Sequence, residues 1–409
     1  MSYKRTGLAI FAFVVTFLVL SDCAKREATT NNVKTYQYTV PEKTNDGWET
    51  TSLSSENLDA NLIKELFERI SDNTYKNINS VLIVKNGRLV VEEYFPRQDV
   101  LGDKRGRAIM RVSPKQLYSA TKSVTSILIG LAIERHLIRG VDEKISTFFP
   151  EYADIFADSN KDAIRLKHFL SMTAGLSWDE WTYPYADARN DALRALLSPD
   201  PIRYILERPL VATPGVQFTY DTGISVTLGQ IIHKVSGMPS DKFAERYLFE
   251  PLGISDYYWA KLPDDIVDTG GGLFLRPRDM AKIGFLFLNG GRWQGKQIIS
   301  EEWVKESTRN YIDAGQIPAW VQANGYGYQW WLGSFKVGDR VVESYGTRGR
   351  AGQFILVFPE QQIVAVFTGL NDNILMNQPL DMVQRYILPA AKPQLLDRVT
   401  RQPSATKSQ

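Results

Sequence analysis

Tyr118-Ser119-Ala120-Thr121-Lys122-Ser123 runs without a break into Val124-Thr125-Ser126-Ile127-Leu128-Ile129-Gly130-Leu131. Val124, Ile127, Leu128 and Leu131 recur at helical spacing, which predicts a buried helix beginning here. Ser119 and Lys122, three residues apart, then share one face of its first turn. A serine hydroxyl becomes a nucleophile only when a base removes its proton. Lysine can be that base once burial or a nearby cation lowers its pKa. The start of a helix adds free N–H groups and a positive dipole end, both suited to a developing oxyanion. The same letters recur at Ser404-Ala405-Thr406-Lys407-Ser408, after Pro403 and with no apolar run behind them. That second copy is read as incidental. Ser119 therefore needs partners elsewhere in the chain.

With 409 residues the chain can bury a large core, as one big domain or two intertwined ones. A net charge of +2 without a long basic run argues against a nucleic-acid partner. The single cysteine, Cys23, excludes an intrachain disulfide and a thiolate zinc cluster. His136, His168 and His233 form no His-Glu-x-x-His pattern and read as structural, so no metal and no cofactor is expected. Lys4 and Arg5 precede an uncharged, mostly apolar run from Gly7 to Leu20, too short to span a membrane comfortably and suited to a secretory signal. Leu20-Ser21-Asp22-Cys23 resembles a bacterial lipoprotein cleavage box, with Asp22 where such boxes carry Gly or Ala. The expected organisation is a signal peptide over 1–22, a polar tether and lead-in over 23–55, a main domain over 56–390 and a disordered tail over 391–409. The expected location is exported and periplasmic, with Cys23 as candidate lipid anchor to a membrane.

Leu62, Ile63, Leu66, Phe67 and Ile70 share one face of a predicted helix over 58–70. Two β-rich runs, 80–85 and 88–94, are joined by Asn86-Gly87, a strong hairpin signal. The segment from about 141 to 267 reads as helix and loop, with short helices over 166–176 (ending on Gly175 as a cap), 201–206 and 225–235. Strands then return as hairpins over 333–345, turning at Gly338-Asp339, and over 353–369, before a closing helix at 380–388. Strands at both ends around a helical middle imply an α+β protein: one antiparallel sheet flanked by helices, with an inserted all-helical subdomain.

Two stretches can supply the missing partners. Pro214-Gly215-Val216-Gln217-Phe218-Thr219-Tyr220-Asp221-Thr222-Gly223 precedes a helix, and Tyr220 there can relay a proton between Ser119, Lys122 and a leaving group. Arg348-Gly349-Arg350-Ala351-Gly352-Gln353 leads into an apolar strand, where glycine lets a substrate approach and the next N–H can complete an oxyanion hole.

In this order, Ser-x-x-Lys, tyrosine loop and glycine strand, the chain resembles the serine β-lactamase and penicillin-binding superfamily. More narrowly it is similar to the class C-like branch with esterases and 6-aminohexanoate-dimer hydrolases. The likeness runs from about Asp46 to Leu388 and includes Leu170-Ser171-Met172-Thr173-Ala174-Gly175-Leu176, Gly271-Gly272-Leu273, Arg278-Asp279-Met280, Gly291-Arg292-Trp293-Gln294-Gly295 and Tyr326-Gly327-Tyr328-Gln329-Trp330-Trp331.

The resemblance implies Ser119 as the acylated nucleophile, Lys122 as its proton acceptor or electrostatic partner, and Tyr220 as general base or acid. It implies an oxyanion hole from the backbone N–H groups of Ser119 and Gln353. Thr222, Trp331, Arg350 and Gly352 would contact substrate. Whether Lys122 or Tyr220 is the resting base stays open, because their titrations are coupled. Two departures bear on substrate. Thr222 keeps a hydroxyl but not the amide of the usual Tyr-x-Asn, and Arg350-Ala351-Gly352 keeps the charge of Lys-Thr-Gly but not its hydroxyl. Both favour ester or amide hydrolysis over β-lactam hydrolysis. No glutamate loop that would activate a deacylating water is evident, so that task falls to Tyr220. The expected activity is an exported serine hydrolase cleaving a small ester, amide or peptide. The alternatives are a β-lactamase or D-Ala-D-Ala carboxypeptidase, and a non-catalytic envelope binding protein.

Overall fold

The alternation that predicts the strands also decides which face each one buries. The computed structural model describes residues 36–95, 103–371 and 376–391. α1 (Ala60–Ser71) leads into the hairpin β1 (Ile78–Lys85) and β2 (Arg88–Tyr94), then α2 (Asp103–Val112), the short β3 (Lys115–Gln116) and α3 (Thr121–Glu134). The middle carries α4 (Leu166–Leu170), α5 (Asp191–Leu197), α6 (Pro201–Glu207), α7 (Thr222–Ser236) and α8 (Ser240–Ala244). Next come β4 (Tyr257–Trp259), β5 (Leu273–Leu275), α9 (Pro277–Leu288), a small hairpin of β6 (Arg292–Trp293) and β7 (Lys296–Gln297), and α10 (Glu301–Ser307). The chain returns to strand with β8 (Gly325–Tyr326), β9 (Trp331–Val337), β10 (Arg340–Gly349), β11 (Gln353–Phe358) and β12 (Ile363–Gly369), then α11 (Gln378–Met382).

The main sheet has the order β2-β1-β12-β11-β10-β9-β8 and every pairing in it is antiparallel. Along β11 and β12, Phe354, Leu356, Ala365 and Phe367 face one core, packed with Leu66, Phe67, Leu380 and Ile387. Their neighbours Ile355, Val357, Val364 and Val366 face the other, packed with Leu128, Ile283 and Phe287. One period-two pattern therefore builds two hydrophobic layers at once. The expected α+β architecture with a helical insertion is what the structure shows.

Several local readings change. Residues 36–55 are not a free lead-in: Trp48 and Leu53 are buried, and the Trp48 indole N–H donates to Arg278 O at 3.2 Å. The helix expected over 166–176 stops at Leu170, because Met172 takes a left-handed φ of 59° and Leu176 bridges to Leu210. Gly175 is no helix cap; a Cβ there would lie 2.1 Å from Ala212 O. α9, not predicted, lies on the sheet so closely that a Cβ on Gly284 would meet Val364 at 2.5 Å. The signal segment, Cys23, the tail after Ala391 and the Ser404 copy lie outside the described residues. Among the described residues no helix is long and apolar enough to cross a membrane.

Candidate active site

α3 is buried on all sides from Thr121 to Ala132, held between the sheet layer and the helical insertion. Ser119 does not sit in the helix proper but on the 3₁₀ turn Tyr118–Ala120 that leads into it. Tyr118 adopts a left-handed φ of 48°, a conformation that costs energy and that the surrounding packing must enforce. The turn brings Ser119 Oγ to 3.2 Å from Lys122 Nζ. Lys122 Nζ also donates to Thr222 Oγ1 at 3.0 Å and to Gly270 O at 2.8 Å. Burial pulls the Lys122 pKa down, against the opposing pull of the carboxylates Glu180, Asp268 and Asp221.

Asp221 caps α7 by accepting from Ile224 N at 3.0 Å, which fixes Tyr220 and Thr222 on either side of it. The Tyr220 ring lies between two indoles, stacked on Trp181 at 5.0 Å and on Trp331 at 5.6 Å. Its ring centroid is 5.1 Å from Lys122 Nζ. Burial, then the nearby Glu180 charge, push the Tyr220 pKa well above that of an ordinary phenol, while a hydrogen bond with Ser119 works the other way. Tyr220 therefore holds its proton at neutral pH.

Gln329, buried in the stretch before Trp331, ties three elements together. Its amide donates to Phe169 O and Leu170 O at 3.1 Å, its side-chain oxygen accepts from Ser225 at 2.7 Å, and its backbone oxygen accepts from Ser123 at 2.6 Å. This places the start of β9, and with it Trp331, against Tyr220.

Ser119 and Tyr220 open into a cavity of about 120 Å³ walled by Trp181, Tyr185, Trp320, Val321, Trp331 and Met376. Glu180, Arg348, Gly349, Arg350 and Asn377 complete its lining. Trp331 and Arg350 reach the cavity as the sequence suggests. Thr222 is not among the residues that line it, since its hydroxyl is engaged by Lys122 and Glu180. Gly352 and Gln353 are not there either: Gly352 faces Asn371, and Gln353 is buried in β11 with its amide donating to Gly369 O at 2.8 Å. The strand end beside Ser119 is Gly349-Arg350, one turn earlier. Gly349 lies so near the serine turn that a Cβ would come within 2.0 Å of Leu117 O.

Most of the wall was not foreseen, and three of its residues bear on the chemistry: Glu180, Trp181 and Arg348. Glu180, in Ser177-Trp178-Asp179-Glu180-Trp181, is 2% exposed and accepts four hydrogen bonds. Its only mark in the sequence is an acidic pair between two tryptophans. Trp181 comes with it. Arg348 is 7% exposed, donates to Val321 O and Gln322 O, and lies 5.7 Å from the Trp331 ring. Burial lowers its pKa to about 9. His168 is structural, its Nδ1 accepting from Arg165 N, and burial lowers its pKa to about 4. Among the described residues no cluster of three or more His, Cys, Asp and Glu could hold a metal ion.

The family model for beta-lactamase matches residues 79–373, which hold Ser119, Lys122, Glu180, Tyr220, Thr222, Trp331 and Arg350. A Salmonella enteritidis PT4 protein named as a candidate D-alanyl-D-alanine carboxypeptidase is 21% identical over 350 residues, 73% of this chain and 79% of its own. Among solved structures, a candidate 6-aminohexanoate-dimer hydrolase from Bacillus anthracis superposes with a TM-score of 0.62 at 21% identity, covering 80% of this chain and 81% of that one. EstCE1, a hydrolase with promiscuous acyltransferase activity, superposes with a TM-score of 0.60 at 16% identity, covering 81% and 97%.

Proposed function

The chain belongs to the beta-lactamase family of hydrolases, and from that premise we propose that it is a serine hydrolase forming an acyl-enzyme on Ser119. The observation that carries this is one constellation: Ser119 Oγ at 3.2 Å from a fully buried lysine, beside a protonated tyrosine, at the floor of an aromatic-walled cavity. Ser119 Oγ attacks the substrate carbonyl as its proton passes to Lys122. The oxyanion is held by the N–H of Ser119 and, in place of Gln353, by the N–H of Arg350 at the end of β10. Tyr220 gives its proton to the leaving group, then takes one from the water that releases the acyl group. The apolar walls suit a small ester or amide with a hydrophobic acyl or leaving group.

A fluorophosphonate probe should label the purified protein on the peptide holding Ser119, and an aryl ester should turn over faster than a chromogenic cephalosporin or a linear amide. Absence of labelling would return the protein to the non-catalytic binding reading. A second reading, carboxypeptidase or β-lactamase, draws on Arg350 at the cavity rim and Arg348 in its wall, two cations able to hold a substrate carboxylate. Faster turnover of the cephalosporin or of a D-Ala-D-Ala peptide would select it.

Export belongs to the same proposal, supported by Lys4-Arg5 and the apolar run to Leu20. In a bacterial host the full chain should fractionate with membranes, and Cys23→Ser should release it to the soluble exported fraction. Wild-type protein found wholly in the cytosol would rule this out.

A further inference from the structure

The Ser119–Lys122 contact does not end at the lysine. Lys122 Nζ has three acceptors around it, Ser119 Oγ, Thr222 Oγ1 and Gly270 O, one for each hydrogen of an ammonium. Thr222 Oγ1 in turn donates to Glu180 Oε1 at 2.8 Å. Glu180 also accepts from Thr222 N at 2.7 Å, Trp178 Nε1 at 2.6 Å and Tyr185 OH at 2.9 Å. The N–H groups of Trp178 and Thr222 fix Oε2 as an acceptor, and with Lys122 donating to Thr222 Oγ1 as an ammonium the Thr222 hydroxyl turns its hydrogen to Oε1. The resting arrangement is therefore an ammonium and a carboxylate joined through one hydroxyl, whose direction is fixed from both sides. A Cβ on Gly270 would come within 2.7 Å of Thr222 Cγ2, so the bare backbone there lets Thr222 sit this close.

We infer that Lys122, Thr222 and Glu180 form a proton relay in which Glu180 takes the proton that Lys122 must shed before it can accept the one on Ser119. The inference rests on the serine-hydrolase reading. In the step, an Nζ–H proton moves to Thr222 Oγ1 while the Thr222 hydroxyl proton moves to Glu180 Oε1. One N–H bond is broken, one O–H bond is formed on Glu180, and Thr222 ends as it began with its hydrogen turned towards the lysine. Rotation about Cε–Nζ then presents the lysine lone pair to Ser119 Oγ, and the reverse path restores the ion pair after acyl transfer. The step creates no charge. It turns a buried ion pair into a neutral pair, which becomes easier when substrate drives water from a cavity that Glu180 itself lines. An asparagine amide in place of Thr222 would have no proton to pass on without tautomerising.

The other charged and titratable groups facing the cluster make no hydrogen bond to Lys122 or Thr222, although the buried Oδ2 of Asp221 is without a hydrogen-bond partner. Asp221 caps α7, and Asp268 accepts from Gly270 N and Gly271 N at 3.1 and 2.9 Å. Tyr220 lies beside Ser119, Tyr185 donates to Glu180, and Arg350 stands over the Tyr185 ring at 5.7 Å. Glu180 is the carboxylate bonded to the partner of Lys122.

The test is the pH profile of kcat/KM for an aryl ester. In the wild type, the acid limb records protonation of the linked cluster. Thr222→Val keeps the Glu180 charge but cuts the path, so activity must await direct loss of the lysine proton. At pH 6.5 kcat/KM should fall about 10- to 100-fold and recover as pH rises, with the acid limb displaced upward by about one pH unit or more. Thr222→Ser restores a hydroxyl and should stay within about threefold of wild type with the limb in place. Should Thr222→Val fail to fold, Thr222→Ala cuts the same path with the Glu180 charge, which raises the Lys122 pKa, still in place, and should show the same upward displacement. A uniform fall with the limb unmoved would mean a merely structural role and overturn the relay. Ser119→Ala is measured alongside. If it stays active the hydrolase reading falls, whereas an inactive Ser119→Ala with an unmoved limb in the Thr222 variant sinks the relay alone.

Discussion

Replacing Ser119 with alanine is expected to lower turnover of a short-chain aryl ester by roughly four to six orders of magnitude while leaving the fold intact. The hydroxyl contacts the side chains of Lys122 and Tyr220, and the turn that carries it is held by backbone bonds: Leu117 N to Leu273 O at 2.8 Å and Ala120 N to Leu117 O at 3.1 Å. An unchanged melting temperature with activity near zero is the signature. Any residual rate should be insensitive to fluorophosphonate, because the group that reacts with the probe is gone. Activity within about tenfold of wild type would remove Ser119 from the chemistry altogether.

Tyr220→Phe should cost about 10²- to 10⁴-fold in kcat with KM little changed. The phenylalanine ring keeps the stack between Trp181 and Trp331, so the cavity wall survives and only the proton is lost. The sign of the pKa shift makes the prediction sharper. Burial raises the Tyr220 pKa, so at neutral pH the group is an acid waiting to donate. The loss should then be larger for alkyl esters and amides, whose leaving groups need a proton, than for a nitrophenyl ester, whose leaving group does not. Equal losses across both classes would reassign Tyr220 to holding the site together.

How far the sequence leads can be judged residue by residue. Ser119, Lys122 and Tyr220 are legible because local spacing and turn chemistry place them, and the structure does bring them together. The sheet is legible because period-two alternation in 354–358 and 363–367 has to serve two cores. The register of the glycine strand is not. Gly349 and Gly352 both follow an arginine by one or two places, and only the approach to Leu117 O shows that Gly349 is the one at the cavity. Gly352, with a φ of 89°, answers to a turn instead. Glu180 was hidden for a different reason. Its partners Trp178, Tyr185 and Thr222 come together only after the helical insertion has folded, and a buried carboxylate carries no spacing rule.

β1, formed early in the chain, takes its inner neighbour from almost the other end: Leu82 faces Val366 and Ile83 faces Ala365. On a ribosome the first hairpin must wait, one edge open, until β12 has emerged. Closing so long a loop is entropically costly and makes this contact slow among those a chain of this size can form. Until then α9 has no finished surface to lie on. A chain stopped short of Ile363 would thus carry Ser119, Lys122, Glu180 and Tyr220 and still lack the platform that assembles them, so the molecule is switched on by its own completion.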